Sequence, residues 1–265
     1  MLYFPQLLTG TTVQYPFSKR QIQRTVRSGS PDGHAFKLLD PGGASIEWEL
    51  TFQTMSNEER IQLESFFGTV EGKLEEFTFL DPTDNLLLWS EDLSATAWTR
   101  GPLLTLTGGV ADPDGGSNAT RISNSGAALQ TVQQTISGPG WFQYCCSLYA
   151  RSEQAANLTI FRAIAGMQET RRCPLTSSWT RVVHAGQSQN SEESVTFGIA
   201  LETGAAVEVY GIQAEAQPAP SAYRKTSSRC GVHKTARFDD DSLSVISEGP
   251  EQHSCKVRIV APATS

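Results

Sequence analysis

The chain has 265 residues, of which 38% are hydrophobic and 18% are charged. It can therefore bury one large core or two ordinary ones. A net charge of −7 leaves no broad basic surface for binding phosphates, so we expect no sequence-specific nucleic-acid binding. A local basic patch is compatible with this net charge. No apolar run approaches the ~18 residues of a membrane span, and the first six residues lack a basic segment typical of a secretory signal.

The first third of the chain predicts β-strands and one helix. Strands are predicted at residues 11–17, 22–27 and 44–54. In the third, every second residue is apolar, which predicts one buried and one exposed face: Ile46, Trp48, Leu50, Phe52. A helix is predicted at residues 56–70, because Ser56 and Glu59 form a capping box. Its apolar stripe is Leu63, Phe66, Phe67, Val70. A strand is predicted to follow Gly72.

From residue 85 onward, the pattern changes to short strands separated by Gly, Asn and Ser turns. About eight strands are predicted, typical of an antiparallel jelly roll: residues 103–106, 119–123, 129–136, 141–151, 157–162, 180–185, 194–201 and 206–215. A proline-rich segment at residues 217–226 then resembles the linker at a domain boundary.

The C-terminal segment predicts two strands, at residues 243–246 and 255–260. Because a lone hairpin is only marginally stable in water, these strands need another sheet to join. We therefore predict a discontinuous domain of residues 1–84 and 227–265, into which residues 85–226 are inserted. The predicted fold is mainly β: a discontinuous β-sandwich-like domain with one α-helix, and an inserted antiparallel jelly-roll sandwich.

No catalytic motif is present. The four histidines are scattered, and none lies in a zinc-protease or nucleophile-elbow pattern. The five cysteines include no C-x-x-C pair, so reduced thiols are the preferred interpretation. The sequence therefore predicts a protein that is not an enzyme and that needs no cofactor, with a structural calcium ion as the alternative. Asp112 and Asp114, among glycines, offer the oxygen ligands that calcium prefers, but the spacing favours a simple turn.

Aromatic residues are the candidates for a carbohydrate site, because a flat ring packs well on the apolar face of a pyranose. Trp98 and Trp179 lie where strands begin and are predicted to fill the sandwich core. Trp89, Trp141 and Tyr149 are the candidate carbohydrate-binding residues, with a structural role for Trp141 as the alternative.

Four segments resemble known families. Residues 56–82 (SNEERIQLESFFGTVEGKLEEFTFLDP) and 236–247 (ARFDDDSLSVIS) resemble tailed-phage distal tail proteins and related minor tail proteins. Residues 85–100 (NLLLWSEDLSATAWTR) and 207–226 (VEVYGIQAEAQPAPSAYRKT) are similar to the first and last strands of carbohydrate-binding-module-like jelly rolls in phage tails. No matching motif is catalytic.

The resemblance implies a virion protein of the tail tip, made in the host cytoplasm. It would form a ring, a hexamer in most distal tail proteins, that joins the tail tube protein to hub or fibre proteins. The alternative function is an adhesion module that binds host-surface polysaccharide; a polysaccharide depolymerase is the least favoured. Asp239, Asp240 and Asp241 form either a solvated loop or, in the ring, an acidic lining that repels passing DNA.

Overall fold

A computed structural model describes residues 1–32 and 34–263, apart from the side chain of Pro41. Within this part of the chain the structure is mainly β, with one helix, as predicted. The elements in chain order are β1 (Ser18–Gly29), β2 (Ala35–Met55), α1 (Asn57–Thr69), β3 (Phe77–Leu80), β4 (Thr99–Arg100), β5 (Leu104–Val110), β6 (Ala119–Asn124), β7 (Gln130–Ser137), β8 (Tyr144–Arg151), β9 (Ala156–Ile164), β10 (Met167–Leu175), β11 (Thr180–Gly186), β12 (Ser194–Leu201), β13 (Ala206–Glu215), β14 (Val232–Phe238), β15 (Val245–Gly249) and β16 (Gln252–Pro262).

The chain divides into two compact units. Unit 1 comprises Met1–Phe79 and His233–Ser265, and unit 2 comprises Leu80–Val232. The helix of unit 1 is too short to cross a membrane, and no other helix occurs in the described residues.

Unit 1 is built on one sheet with the strand order β1-β2-β16-β14-β3, to which β15 adds by pairing with β16. The predicted alternation in β2 is confirmed, since Trp48, Leu50 and Phe52 are each at most 1% exposed. The C-terminal strand β16 pairs antiparallel with β2 from Ser45 to Met55. Segments far apart in sequence thus share one hydrophobic core.

The predicted helix is confirmed together with its capping box. The backbone N–H of Glu59 donates to Ser56 Oγ at 3.1 Å, and the N–H of Ser56 donates to Glu59 Oε2 at 3.1 Å. Two orphan donors of the first turn are thereby satisfied. Leu63 and Val70 are buried in the core of unit 1, with Phe66 and Phe67 packed against it.

The strand predicted at residues 11–17 is wrong, because this segment consists of bends and irregular backbone. Its apolar side chain Val13 does enter the core. Its bonding to β2, however, uses a side chain: Gln14 Nε2 donates to the carbonyl of Gln53 at 3.0 Å, and Gln14 Oε1 accepts from the N–H of Gln53 at 2.7 Å. An amide side chain can replace a peptide group in a sheet ladder, which alternation alone does not reveal.

Unit 2 is an antiparallel sandwich of two five-stranded sheets, β10-β9-β12-β7-β4 and β11-β8-β13-β6-β5. The strand pairings within these two sheets are antiparallel. The central strands are largely buried, and Ile160 of β9, Ile199 of β12 and Leu148 of β8 are all inaccessible to solvent. The predicted jelly-roll-like sandwich is therefore confirmed as a fold class.

Hydrogen bonds join the two ends of unit 2. The N–H of Asp81 donates to the carbonyl of Gly231 at 2.8 Å, and the N–H of Gly231 donates to the carbonyl of Asn85 at 2.8 Å. Thr226 Oγ1 donates to the carbonyl of Leu87 at 2.6 Å. The chain therefore leaves unit 2 beside the point where it began.

Candidate functional site

Trp89 has a backbone conformation that is unusual for a bulky residue. Its φ of 53° lies in the left-handed region, which costs a residue with a side chain free energy. Three hydrogen bonds hold it there: its N–H donates to the carbonyl of Ser227 at 3.0 Å, and its carbonyl accepts from the N–H of Asp92 at 3.0 Å and from Trp98 Nε1 at 3.1 Å. Strain that surrounding structure maintains in this way is typical of functional positions.

The Trp89 side chain lies at a surface cavity of unit 2. Trp89 is 37% exposed, whereas Trp98 is 4% exposed and buried as predicted. The cavity has a volume of about 470 Å³. Aromatic, apolar and polar residues line it, the polar side chains being Glu91, Asp92, Ser94, Asn118, Thr120, Lys225, Thr226 and Ser227. We call this feature the Trp89 cavity.

The charged groups of the Trp89 cavity are fixed by their contacts. Lys225 Nζ lies 2.5 Å from Glu91 Oε2; the Glu91 side chain is 9% exposed and that of Lys225 is 61% exposed. Tyr223 Oη donates to Glu91 Oε1 at 3.2 Å and lies 2.7 Å from Ser90 Oγ. Burial raises the pKa of Tyr223 above its ordinary value, so its hydroxyl keeps its proton as a donor. Glu91 is therefore a positioned acceptor beside a solvent-accessible ammonium group.

A second layer of side chains supports Tyr223. Its ring contacts that of Tyr210 edge to face, with centroids 5.3 Å apart, and Tyr210 Oη donates to Asp114 Oδ2 at 2.9 Å. Gly211 has a φ of 64°, and a Cβ there would lie 3.2 Å from the Tyr223 ring. A side chain at position 211 would thus be strained and would crowd this ring.

Asp112, a candidate calcium ligand, closes a turn that holds Asn118. Its carboxylate accepts from the N–H groups of Asp114, Gly116 and Asn118 and from Asn118 Nδ2, at 2.8 to 3.0 Å. These bonds, above all that from the Asn118 N–H, hold the pKa of Asp112 below its ordinary value. Its oxygens thus face N–H donors, and no group of three His, Cys, Asp or Glu suited to a metal occurs in the described residues. The turn that the sequence favoured is the observed structure.

The other candidate aromatics do not line the Trp89 cavity. Trp141 precedes β8, is 40% exposed, and packs edge to face on Phe142. Tyr149 of β8 is half-buried, with the Arg181 guanidinium 5.6 Å from its ring centre. The structure therefore does not bring the three predicted carbohydrate-binding residues together in one cavity.

The core prediction for Trp179 is wrong. Trp179 is half-buried, and the Arg151 guanidinium lies 4.7 Å from its ring centre. A cation–π contact on the surface satisfies the indole, so it need not enter the core.

The acidic run lies in unit 1, between β14 and β15. Arg258 forms ion pairs with Asp239 at 3.5 Å and with Asp240 at 3.7 Å. Lys73 forms one with Asp241 at 3.5 Å. Each carboxylate thus has a cationic partner. The lumen-facing role stays a prediction.

Sequence reasoning missed Glu91, Asn118 and Lys225 as parts of a carbohydrate site. The available signal was the run Trp89-Ser90-Glu91-Asp92, in which an aromatic residue is followed at once by polar groups. Lys225 gives no such signal, because it meets Glu91 only after the whole sandwich has folded.

No family model matches the chain, and no curated protein matches it. Among solved structures, it is similar to the enzymatically active domain of tailspike protein 4 of bacteriophage CBA120, at 13% identity and a TM-score of 0.41 over 52% of this chain. That match spans only 22% of the tailspike structure.

Two carbohydrate-binding modules are also similar. A xylan-binding domain of family 22 is 11% identical with a TM-score of 0.41, over 53% of this chain and 100% of that one. A family 61 module in complex with β-1,4-galactotriose is 8% identical with a TM-score of 0.36, over 45% of this chain and 88% of that one. The resemblance to distal tail proteins stays a prediction.

Proposed function

We propose that unit 2 is a non-catalytic carbohydrate-binding module whose binding site is the Trp89 cavity. One observation carries the proposal: Trp89 is held in a left-handed conformation by three hydrogen bonds while its indole stays 37% exposed at a cavity. Strain of this kind persists where function requires a side chain at a particular place.

The chemistry around Trp89 suits a sugar. An exposed indole offers a flat apolar surface for the C–H face of a pyranose. Glu91, Asn118 and Lys225 add an acceptor, an amide and a donor for ring hydroxyl groups. A cavity of about 470 Å³ lies in the range of small-ligand sites, which suits a short segment of polysaccharide.

We further propose, as a second candidate, that this module is carried by a phage tail-tip protein. The support is the resemblance of residues 56–82 and 236–247 to distal tail proteins, together with the helix and strand found at residues 57–69 and 77–80. In this proposal, residues 1–84 and 227–265 form the tail domain, and residues 85–226 form the inserted module. Copies of the tail domain form the ring, which binds the tail tube protein and the hub or fibre proteins. Copurification with tail tube protein tests it, and a failure to bind tube protein would contradict it.

Glycan binding is tested with the full chain on an array of bacterial surface polysaccharides, followed by calorimetry on the best ligand. We expect Trp89→Ala to abolish saturable binding and Trp141→Ala, a tryptophan of similar exposure outside the cavity, to retain it. No binding to any polysaccharide, or loss in the Trp141 variant alone, would contradict the proposal. Release of reducing ends from the bound polymer would identify a depolymerase instead.

A further inference from the structure

Unit 1 presents a two-stranded ribbon that no other strand of the described chain covers. Residues 24–29 of β1 pair with residues 35–40 of β2, from Arg24–Asp40 to Gly29–Ala35. The next strand of the sheet, β16, pairs with β2 only from Ser45 onward. A two-stranded ribbon is only marginally stable in water by itself. We call this feature the outer ribbon.

The outer ribbon has an apolar face that is exposed. Directly paired residues share a face of an antiparallel ribbon, as do residues two positions apart. The pairings Val26–Leu38 and Ser28–Phe36 therefore place three apolar side chains on one face. Phe36 and Leu38 are each 64% exposed, and Val26 is 45% exposed. Contiguous apolar exposure of this kind marks an interaction surface.

On the opposite face of the outer ribbon, Arg27 pairs with Lys37 and Thr25 pairs with Leu39; both basic residues are exposed, and Leu39 is 65% exposed. The two strands of the outer ribbon contain three Lys or Arg and one Asp, a net charge of +2. The rest of the chain contains the remaining eighteen Lys or Arg and twenty-seven Asp or Glu, a net charge of −9. The charge of the outer ribbon thus complements that of the remaining chain.

We infer that the outer ribbon docks on a second copy of this chain. Burial of Val26, Phe36 and Leu38 supplies the hydrophobic driving force. The opposite signs of charge on the outer ribbon and on the rest of the chain favour an identical partner, because complementary potentials steer and orient association. This inference is independent of the Trp89 cavity, which lies in unit 2.

The test is the oligomeric state of the full chain by analytical ultracentrifugation at concentrations from nanomolar to micromolar. We expect the natural protein to self-associate. The triple variant Val26→Ser, Phe36→Ser, Leu38→Ser should raise the dissociation constant by about tenfold or more. A matched control, Leu74→Ser with Ile246→Ser, removes apolar side chains of unit 1 that are each 61% exposed outside the ribbon. The control should associate like the natural protein.

A second variant, Arg27→Glu with Lys37→Glu, tests the electrostatic part of the inference. It should weaken association at low salt, and the difference should narrow as salt is added. Circular dichroism of each variant confirms that the sheet is intact. A natural protein that remains monomeric, or ribbon variants that associate as it does, would overturn the inference. Binding of the monomer to vesicles of phosphatidylglycerol and phosphatidylcholine, lost in both ribbon variants, would overturn it in favour of a membrane surface.

Discussion

Because the backbone of Trp89 is strained, we expect a glycine substitution at position 89 to leave the protein more stable than an alanine substitution, which is the reverse of the usual order. Trp89→Gly and Trp89→Ala both remove the indole, so the lost contacts of the ring are the same in the two variants. They differ in the backbone alone, because alanine keeps a Cβ at a φ of 53° and glycine does not. At most positions the alanine variant is the more stable, since glycine leaves the unfolded chain more freedom.

Two opposing contributions set the difference in free energy of unfolding between the two variants. The left-handed region costs a residue with a Cβ about 1–2 kcal/mol, and glycine escapes this cost. The greater entropy of glycine in the unfolded chain offsets about 0.4–1 kcal/mol of that gain. Trp89→Gly should therefore be more stable than Trp89→Ala by about 1 kcal/mol. Relaxation of φ in the alanine variant would break the hydrogen bonds to Ser227, Asp92 and Trp98.

Urea unfolding of the full chain, followed by circular dichroism, measures this difference. Trp141 is the matched control, since it is 40% exposed and does not have a positive φ. There the ordinary order should hold, with alanine more stable than glycine by about 0.4–1 kcal/mol. If Trp89→Ala were instead more stable than Trp89→Gly by the same about 0.4–1 kcal/mol as at Trp141, the backbone at position 89 would carry no strain, and the proposed function would lose its main support.

Three further predictions concern unit 2. The pKa of the Asp112 carboxyl group is lower in the folded protein than in the unfolded chain. Asp112 therefore stabilises the folded protein at pH values above its unfolded-state pKa, and this stabilisation is lost as the pH falls through its folded-state pKa. The stability gap between natural protein and Asp112→Asn should thus close below about pH 4 in thermal melts. Gly198→Ala would place a Cβ 2.6 Å from the carbonyl oxygen of Val132, so it should lower the urea-unfolding free energy by about 1–3 kcal/mol. Burial raises the pKa of Cys145 to about 12, so iodoacetamide should modify native protein at half-buried Cys230 long before Cys145, as peptide mass spectrometry would show.

Local signals explain which elements the sequence could predict. Ser56 and Glu59 lie within one turn, so the start of α1 needed no tertiary information. Residues 194–201 were predicted as a short strand between turns, and they form β12, which pairs with β7 and β9. By contrast, β10 was missed. It is an edge strand, paired only with β9, and is largely exposed. Pro174, which a central strand would exclude, is tolerated there.

The candidate site was predictable only in part, since its members are distant in sequence. Trp89 was identified from the chemistry of its side chain, but neither composition nor spacing indicated its left-handed backbone. Tyr223 donates to Glu91 across 132 positions of the chain, a contact that depends on the closure of the whole sandwich. Asp112 was noticed for its oxygen atoms, whereas its role is to hold Asn118 at the cavity.

The hydrogen bond between Asp81 and Gly231 has a consequence for how such a protein can diversify. β3 and β14, the strands on either side of residues 81–231, are neighbours in one sheet, and the chain ends between them lie 2.8 Å apart from nitrogen to oxygen. Recombination could replace the intervening segment with any module whose termini lie equally close, or with a tight turn. A lineage could thereby exchange the whole inserted segment in one genetic event, while the sheet of unit 1 stays unchanged.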